Sequence, residues 1–467
     1  MTSTVQTLSD LEPSFVSRRT YATRRRSPRI DAATILGLMI VLLTVIPSRY
    51  ILPGLTDLGR PGLVVGFLLF CWWVMVRFAP HLVVVGPQPL RWALLAFGIT
   101  CLISYAAGEL RGLTTMEFNG ADRMMLFVGV FMGVALAVAD GIPNWWRLQV
   151  VVKVLVWFGT FMATVGIIQY VTRIDVTAYL AIPGLEQKGD QLGFESRGAG
   201  VRVASTATHY IELATILATI LPFAIHQTIF ATSRKAKFWY GVCSLALTLC
   251  TLATISRTGM LGLFIVLFVL VPTWGWRLRY NVLVISGMFL AVLTAAKPSL
   301  AVTLFRLFDD PTNNPAFTVR EDRYPLVWYY VGQRPWFGRG TGTYIAPQYQ
   351  ILDNWWLSFL ISNGIIGVAV LAALHFTGVT LAFKAMRRAA SPEIRHLCAV
   401  VLSTQLIAIV VAFTYDSLAF LSYATIVGLT LGMCAAVWRL THPARIVRTT
   451  SAQWFRGVEG QLLYGRH

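Results

Sequence analysis

Acidic residues are scarce in this chain of 467 residues, in which 21 Asp and Glu stand against 39 Lys and Arg. Charged residues of both signs make up only 13% of the sequence, about half the fraction that soluble domains carry. Apolar residues fill the difference and account for 56%. This composition excludes an ordinary soluble globular protein and predicts a membrane protein.

Cysteine is also scarce, and it lacks the spacing of a metal site or a redox motif. No CxxC pair and no clustered histidine partner accompanies any cysteine, so neither a zinc site nor a disulfide framework is indicated. We expect packing roles for all six, and we predict neither a metal nor a cofactor. The cysteines all lie inside apolar segments, at Cys71, Cys101, Cys243, Cys250, Cys398 and Cys434.

The first 30 residues lack the apolar core of a cleavable signal peptide and are polar and rich in arginine. We interpret residues 1–30 as a disordered basic cytoplasmic tail near anionic lipid. Residues 441–467 are predicted to be a cytoplasmic C-terminal tail. The sequence between them, residues 31–440, is predicted to be a single transmembrane helical domain.

Long apolar runs recur along that whole domain. Each has about 17 to 23 residues or more, enough to cross a hydrocarbon core of about 30 Å at 1.5 Å per residue. The predicted fold class is therefore all-α, a polytopic integral membrane protein with about 12 transmembrane helices. The runs are 33–52, 61–79, 91–107, 123–139, 148–170, 207–231, 238–255, 258–275, 280–296, 355–383, 396–414 and 417–438.

The net charge of +18 could suggest nucleic acid, but the cations lie in short loops between apolar runs rather than on one helix face. They are better explained by the rule that cationic loops stay in the cytoplasm. This rule places both termini inside and two long loops, residues 171–206 and 297–354, outside. Long loops often carry function. No internal repeat is evident, which weakens the hypothesis of a transporter built from duplicated halves.

The first long loop ends at a span whose entrance is polar. Arg202 precedes it, and His209 and Glu212 are three residues apart, hence on one helix face. These residues could be an interfacial cap, or an anion site, since arginine and helix N-termini both favour phosphate. Glu212 lies about a turn inside the span, where ionisable groups usually face a cavity or a partner.

Two further places combine arginine with small polar residues at the outer ends of spans. Arg257 lies in an Ile-Ser-Arg-Thr-Gly turn between two apolar runs, where it could either snorkel to the interface or bind an anion. The second long loop is dense in arginine, aromatic residues and glycine. Its candidate residues are Arg323, Arg339 and Tyr344, together with Asp353 and Asn354 at the mouth of the next span.

In this order, the residues resemble the O-antigen ligase and O-antigen polymerase superfamily, membrane glycosyltransferases that act on undecaprenyl-linked glycans at the outer leaflet. That family has an Arg before a Gly/Thr-rich turn and a helix-opening His, an SRG-like turn, an Arg before a Trp, an FGxGxGxY-like stretch and an HN pair. The resemblance covers residues 195–370. Its matching residues are Arg202 with His209, Ser256 to Gly259, Arg323 with Trp328, Phe337 to Tyr344, and Asp353 with Asn354, closed by Asn363 to Gly367 where the family often has ExGxxG.

The sequence departs from the family pattern at three places. Ser205 replaces the usual Gly, Tyr210 and Ile211 replace a Pro-Asn pair, and Asp353 stands where His usually precedes Asn354. In ligases of the family that His is implicated in activating the acceptor. The replacement of this His weakens the hypothesis of a ligase that uses lipid A core as acceptor more than it weakens the broader hypothesis of a polymerase.

The resemblance implies attack by an acceptor sugar hydroxyl on a glycan held by undecaprenyl pyrophosphate, in a bacterial cytoplasmic (inner) membrane. Arg202, Arg257 and Arg323 would bind the pyrophosphate, since guanidinium grips phosphate oxygens bidentately. Asp353 is the preferred catalytic base, with Glu212 and His209 as alternatives, while Asn354, Arg339 and Tyr344 would serve the acceptor and the loop. The partners would be the donor glycan, the acceptor glycan and membrane lipids, without nucleic acid. The glycan, the acceptor, polymerase versus ligase, and the oligomeric state stay open.

Two other functions fit the same composition. A transporter or flippase of lipid-linked glycans would need charged or helix-breaking positions at mid-membrane in both halves, whereas the polar residues gather at the outer ends. A cell-wall polymerase of the shape, elongation, division and sporulation type would share the substrates, but its typical loop acids are not identifiable here.

Overall fold

The computed structural model describes residues 30–55, 57–78, 88–188, 195–197, 200–296, 298, 302, 322–346 and 348–443. Residues 1–29 and 444–467, which hold nearly all of the two predicted tails, lie outside the described residues. Residues 303–321 of the second long loop also lie outside them.

The described part of the chain folds into thirteen α-helices, twelve of which coincide with the twelve predicted apolar runs. Eight are long and apolar enough to cross a membrane, and three shorter apolar helices begin at residues 32, 61 and 257. The prediction of an all-α polytopic membrane protein is confirmed. The helices are α1 Ala32–Val45, α2 Pro61–Arg77, α3 Pro89–Glu109, α4 Thr115–Gly141, α5 Trp145–Thr172, α6 Tyr210–Phe230, α7 Arg234–Ala253, α8 Arg257–Leu270, α9 Trp276–Ala296, α10 Tyr324–Gln333, α11 Trp355–Arg388, α12 Pro392–Val411 and α13 Leu421–Thr441.

Helix starts in this chain carry side-chain caps, and helices meet at small residues. Asp31, Asn144 and Ser233 each accept the backbone N–H three residues on, which satisfies a donor that has no partner inside the helix. A side chain at Gly262 of α8 would lie 2.8 Å from Ala218 of α6, so glycine is what lets these two helices touch. Close approach at small residues is the usual way in which helices pack in membranes.

The centre of the bundle is α13, of which 94% of the most apolar window is buried. It packs against α4, α6, α11 and α12. The ends of α6 and α13 that are predicted to face outside, called the outer ends below, therefore lie side by side in the middle of the protein. Two short antiparallel strand pairs lie in the connections between helices. They are β1 Tyr50–Ile51 with β2 Glu186–Gln187, and β3 Glu195–Arg197 with β4 Gly200–Arg202.

Helix α11 is not the continuous span that the sequence predicted over 355–383. Gly364 has φ +67° and ψ −172°, a conformation that only glycine adopts without strain. The rings of Trp356 and His375 lie 6.3 Å apart, whereas 19 residues of straight helix would separate them by about 28 Å. The helix is thus folded back, and residues 365–388 alone are long enough to cross the membrane.

The polar backbone groups at this break are satisfied by the second long loop. Ile365 N–H donates to the carbonyl of Pro335, and Ile366 N–H to that of Trp336. In return, the carbonyls of Ile361 and Ser362 accept from Arg339 and Gly340. Irregular backbone is tolerated at membrane depth only when protein groups replace the lost helical bonds, and here the loop supplies both halves of the exchange.

Candidate active site

The turn between α12 and α13, residues 412–420, is where the polar segments of the outer end meet. The hydroxyl of Thr414 lies 3.1 Å from that of Thr258, next to Arg257 at the start of α8. Tyr415 and Thr215 of α6 share a hydrogen bond of 2.7 Å. Asp416 accepts the Ser358 hydroxyl of α11 at 2.5 Å. The 412–420 turn therefore joins three segments that the sequence predicted to form one site.

Arg323 and Asp353 form an ion pair beside this turn, with 3.2 Å between Nη1 and Oδ2. The Arg323 side chain is only 13% exposed, whereas that of Asp353 is 46% exposed. The contact is single rather than bidentate, so half of the carboxylate stays open to whatever enters the outer end. Asp353 also has φ +52°.

Asp416 is a functional candidate that the sequence analysis missed. Its Oδ2 accepts the backbone N–H of Asp353 at 3.1 Å, which places two carboxyl groups next to each other. Burial raises the pKa of Asp416, and the negative charge of Asp353 raises it further, while hydrogen bonds from Ser358 and from the Asp353 and Asn354 backbone oppose this. A signal was available, because Asp416 is the one acid between Glu393 and Glu459 in the sequence.

Asn354 is the N-cap of α11, where its Oδ1 accepts the backbone N–H of Leu357 at 3.3 Å. This cap fixes the direction in which α11 leaves the site and so positions Asp353, the preceding residue. The predicted role of Asn354 toward the acceptor remains a prediction. The hydrogen bond that the structure shows for the Asn354 side chain lies within the first turn of its own helix.

Glu212 is completely buried, and both of its carboxylate oxygens accept backbone N–H groups. Oε2 accepts from Thr208 at 2.8 Å, before the start of α6, and Oε1 accepts from Tyr423 at 3.2 Å, in the first turn of α13. A negative charge shared by two helix N-termini is favoured by both helix dipoles. This geometry suits a residue that ties α6 to α13 better than one that receives a proton from substrate.

His209 is the N-cap of α6, and its Nδ1 accepts the backbone N–H of Ile211 at 3.2 Å. Its ring packs against Tyr210, with centroids 3.9 Å apart, and against Phe420 of the 412–420 turn at 5.8 Å. The guanidinium carbon of Arg202 lies over the Tyr210 ring, 4.1 Å from its centroid. Arg202 and His209 are therefore joined through Tyr210 at the edge of the same turn.

Three backbone positions near these residues have the left-handed conformation that L-residues rarely adopt. Ser205 has φ +54°, Ile255 has φ +50° and Asp353 has φ +52°; the fourth such non-glycine residue in the described part of the chain is Arg173. Each costs about 1–3 kcal/mol, and such strain gathers at functional sites. Ser205 stands where the family resemblance expects glycine, which takes this conformation without cost.

Arg339 lies in a different group, at the turn between α3 and α4. Its Nη2 donates to the Tyr349 hydroxyl at 3.0 Å and lies 3.7 Å from Glu117, while Arg111 contacts Glu117 at 2.6 Å. Its guanidinium also lies over Tyr330, 4.6 Å from the ring centroid. Arg339 therefore anchors the second loop to the bundle.

Tyr344 lies between the two groups. Burial raises the pKa of Tyr344 to about 12, with further increases from Tyr330 and Asp416 and a decrease from Arg323. Its hydroxyl donates to the carbonyl of Gln350 at 2.7 Å. Tyr344 is thus within electrostatic reach of both Arg323 and Asp416.

Among the residues that the structure describes, no three His, Cys, Asp or Glu side chains are grouped to hold a metal ion. The site brings together arginines and carboxylates.

Residues 242–372 match the family model described as O-Antigen ligase. The matched stretch runs from within α7 into α11 and contains Arg257, Arg323 and Asp353. The match confirms the resemblance to the O-antigen ligase and polymerase superfamily and supports membrane glycosyltransferase activity in general. No curated protein matches the chain.

Proposed function

We propose, from the O-antigen ligase domain at residues 242–372, that this chain transfers or polymerises glycan from an undecaprenyl-pyrophosphate-linked donor onto an acceptor sugar. The reaction would take place at the outer leaflet during synthesis of a surface polysaccharide. The donor, the acceptor and the leaflet are part of the proposal, whereas the glycosyltransferase class follows from the family match.

The observation that carries the proposal is the meeting of three arginine-bearing segments on the 412–420 turn. Thr258, which contacts Thr414, follows Arg257. Arg202 reaches Phe420 of the turn through Tyr210 and His209. Arg323 reaches the same turn through Asp353 and Asp416. A transfer from a pyrophosphate donor needs cations for the leaving group and a carboxylate for the acceptor proton, and this turn lies next to both.

In the proposed step, the acceptor hydroxyl oxygen forms a bond to the anomeric carbon of the donor sugar. The bond from that carbon to the pyrophosphate oxygen breaks, and its electron pair leaves with the lipid pyrophosphate. Asp353 takes up the hydroxyl proton. Arg202, Arg257 and Arg323 stabilise the pyrophosphate, whose charge the always-ionised guanidinium matches. No metal is required for this balance.

Because Arg323 and Asp353 share a single contact, binding of the donor to Arg323 would free the catalytic base. A pyrophosphate offers Arg323 a stronger, bidentate partner than one carboxylate oxygen. When the donor is bound, Arg323 turns to it and the Asp353 carboxylate is released toward the acceptor. The adjacent Asp416 then limits how far Asp353 moves, because its carboxylate holds the Asp353 backbone N–H.

We further propose that residues 31–440 form one transmembrane domain in the cytoplasmic membrane with both tails inside. Ion pairs between helix ends that are predicted to be cytoplasmic support this arrangement. Arg77 of α2 and Arg91 of α3 both contact Asp140 at the end of α4.

Single cysteines introduced by Tyr179→Cys and Ser391→Cys should label from opposite sides in intact cells. Labelling from one side would contradict the topology.

The experiment that tests the function is a transfer assay on the purified chain in lipid nanodiscs. Supplied with a polyprenyl-pyrophosphate glycan and an acceptor, it should extend the acceptor and release polyprenyl pyrophosphate in equal amounts. Donor alone would be extended by a polymerase and left unchanged by a ligase. Movement of the donor across proteoliposomes without transfer would contradict the proposal in favour of a flippase.

A further inference from the structure

Helix α10 is attached at both of its ends to the outer end of the bundle. At its start, Arg323 contacts Asp353 next to the 412–420 turn. Just after its end, Pro335 accepts the backbone N–H of Ile365, immediately beyond the break in α11. Both ends of α10 are therefore tied to the outer end of the bundle, and its ten residues run between these two points.

Helix α10 packs on the protein through a narrow apolar stripe, and the exposed part of its surface carries aromatic rings. Val327 and Val331 are buried against Leu352 and Ile361 in a small separate core. Outside this stripe, Trp328 is 62% exposed and its neighbour Tyr329 is 63% exposed. Tyr324 adds a third exposed ring, one turn before Trp328. None of the ten residues of this helix is charged.

The exposed ring face continues onto the apolar surface of a spanning helix. Trp336, which is exposed, follows α10 and its carbonyl accepts the backbone N–H of Ile366. The adjacent Ile365 is also exposed and begins the segment of α11 that crosses the membrane. Arg334 lies exposed between Trp336 and the helix, at the edge of the aromatic surface.

We infer that α10 and Trp336 lie in the headgroup layer of the outer leaflet, with Tyr324, Trp328, Tyr329 and Trp336 facing phospholipid. Tryptophan and tyrosine are enriched at this level because one end of each ring is apolar and the other is polar. An uncharged face of this kind would be an association hazard in water, whereas a lipid interface accepts it. The exposed guanidinium of Arg334 would bind lipid phosphates at this level. The inference does not depend on the transfer chemistry.

Spin labels on single cysteines test the inference without any activity measurement. Trp328→Cys is made in a Cys71→Ser background, because Cys71 is the one cysteine that is not buried. Labels at the exposed positions Tyr179, in the first long loop, and Leu102, in the membrane-crossing helix α3, give the reference for water and for lipid. Collision rates with oxygen and with a water-soluble nickel chelate are measured in nanodiscs of phosphatidylethanolamine and phosphatidylglycerol.

The label at position 328 should show a several-fold lower nickel rate than the label at 179, and an oxygen rate close to that at 102. A second label, from Tyr329→Cys, should give the same pattern and covers the case in which the first variant fails to fold. Rates at both positions equal to those at 179 would overturn the inference. Immobilisation of these water-exposed labels by an added soluble oligosaccharide would instead assign the ring face to glycan binding.

Discussion

The two ends of the bundle use the same residue types in opposite ways. At the end predicted to be cytoplasmic, called the inner end below, Asp140 is almost buried and contacts both Arg77 and Arg91, at 2.5 and 2.9 Å. The Trp73 ring N–H donates to the same carboxylate at 3.0 Å. At the outer end, Asp353 is half-exposed and has one contact of 3.2 Å with Arg323.

This difference separates a structural ion cluster from a candidate reactive one. Asp140 has filled its acceptor sites with three donors from two other helices, so it holds helix ends together and has nothing left for a ligand. Asp353 keeps one oxygen open and stands in a strained backbone conformation. The carboxylate that can exchange partners is the one at the outer end.

The largest effect is expected on transfer activity, when a substitution of Asp353 is compared with one of Glu212. Asp353→Asn should lower transfer activity by about 10²–10⁴-fold, the usual contribution of a positioned general base. Stability should hardly change, because the Asp353 side chain is 46% exposed and asparagine tolerates the positive φ of this position as aspartate does. Transfer rates and thermal unfolding of the same preparations provide the measurement.

Glu212→Gln is the matched control, since it removes a carboxylate from the same outer end. The amide can accept only one of the two backbone N–H groups, so stability should fall by about 1–2 kcal/mol while transfer persists. The assignment would be wrong if Asp353→Asn kept its transfer activity while Glu212→Gln or His209→Ala abolished it. The base would then lie at the entrance of α6.

The next effect is expected at Arg323. Arg323→Ala should reduce the transfer rate by about 10²–10³-fold, the loss typical when one donor to a developing charge is removed. Arg334→Ala, an exposed arginine on the same loop, should leave the rate unchanged. Equal losses in the two variants would mean that positive charge on the loop matters and that the site at Asp353 does not.

At the inner end, Asp140→Asn should act on stability instead. It leaves two guanidinium groups without their carboxylate, which costs about 3 kcal/mol when the pair is buried. Denaturation in detergent should report this loss, and transfer per folded molecule should stay at the wild-type rate. Glu186→Gln, at an exposed carboxylate, serves as the control. A loss of transfer without a loss of stability would break the comparison between the two ends.

The smallest effect concerns Asp416 and pH. Its pKa is raised in the folded protein, so ionising it opposes folding, and the stability that its neutral form provides is lost as the pH rises through that raised pKa. Asp416→Asn stays neutral throughout. The melting temperature of wild type relative to this variant should therefore decline from acid to neutral pH. A difference that does not change with pH would contradict the raised pKa.

Much of the fold followed from length and composition. The twelve apolar runs predicted twelve helices because a membrane-crossing segment must satisfy its backbone internally, a local requirement. Ser256 and Asn354, which stand just before two of the predicted runs, cap helix starts in the structure for an equally local reason. The order of arginine motifs placed Arg257, Arg323 and Asp353 within the stretch that matches the O-antigen ligase model.

The fold-back at Gly364 and the grouping at the 412–420 turn were decided by tertiary structure alone. Glycine is common in transmembrane helices, so the residues around Gly364 gave no sign that the loop would take over two helical hydrogen bonds. Asp416 contacts a residue 63 positions earlier, and Thr414 and Tyr415 contact residues 156 and 200 positions earlier. The local sequence pattern specifies which residues are helical, but contacts at such separations depend on how the finished helices pack. Helix packing is therefore what brings Asp416 next to Asp353 and places Arg339 where it anchors the second loop.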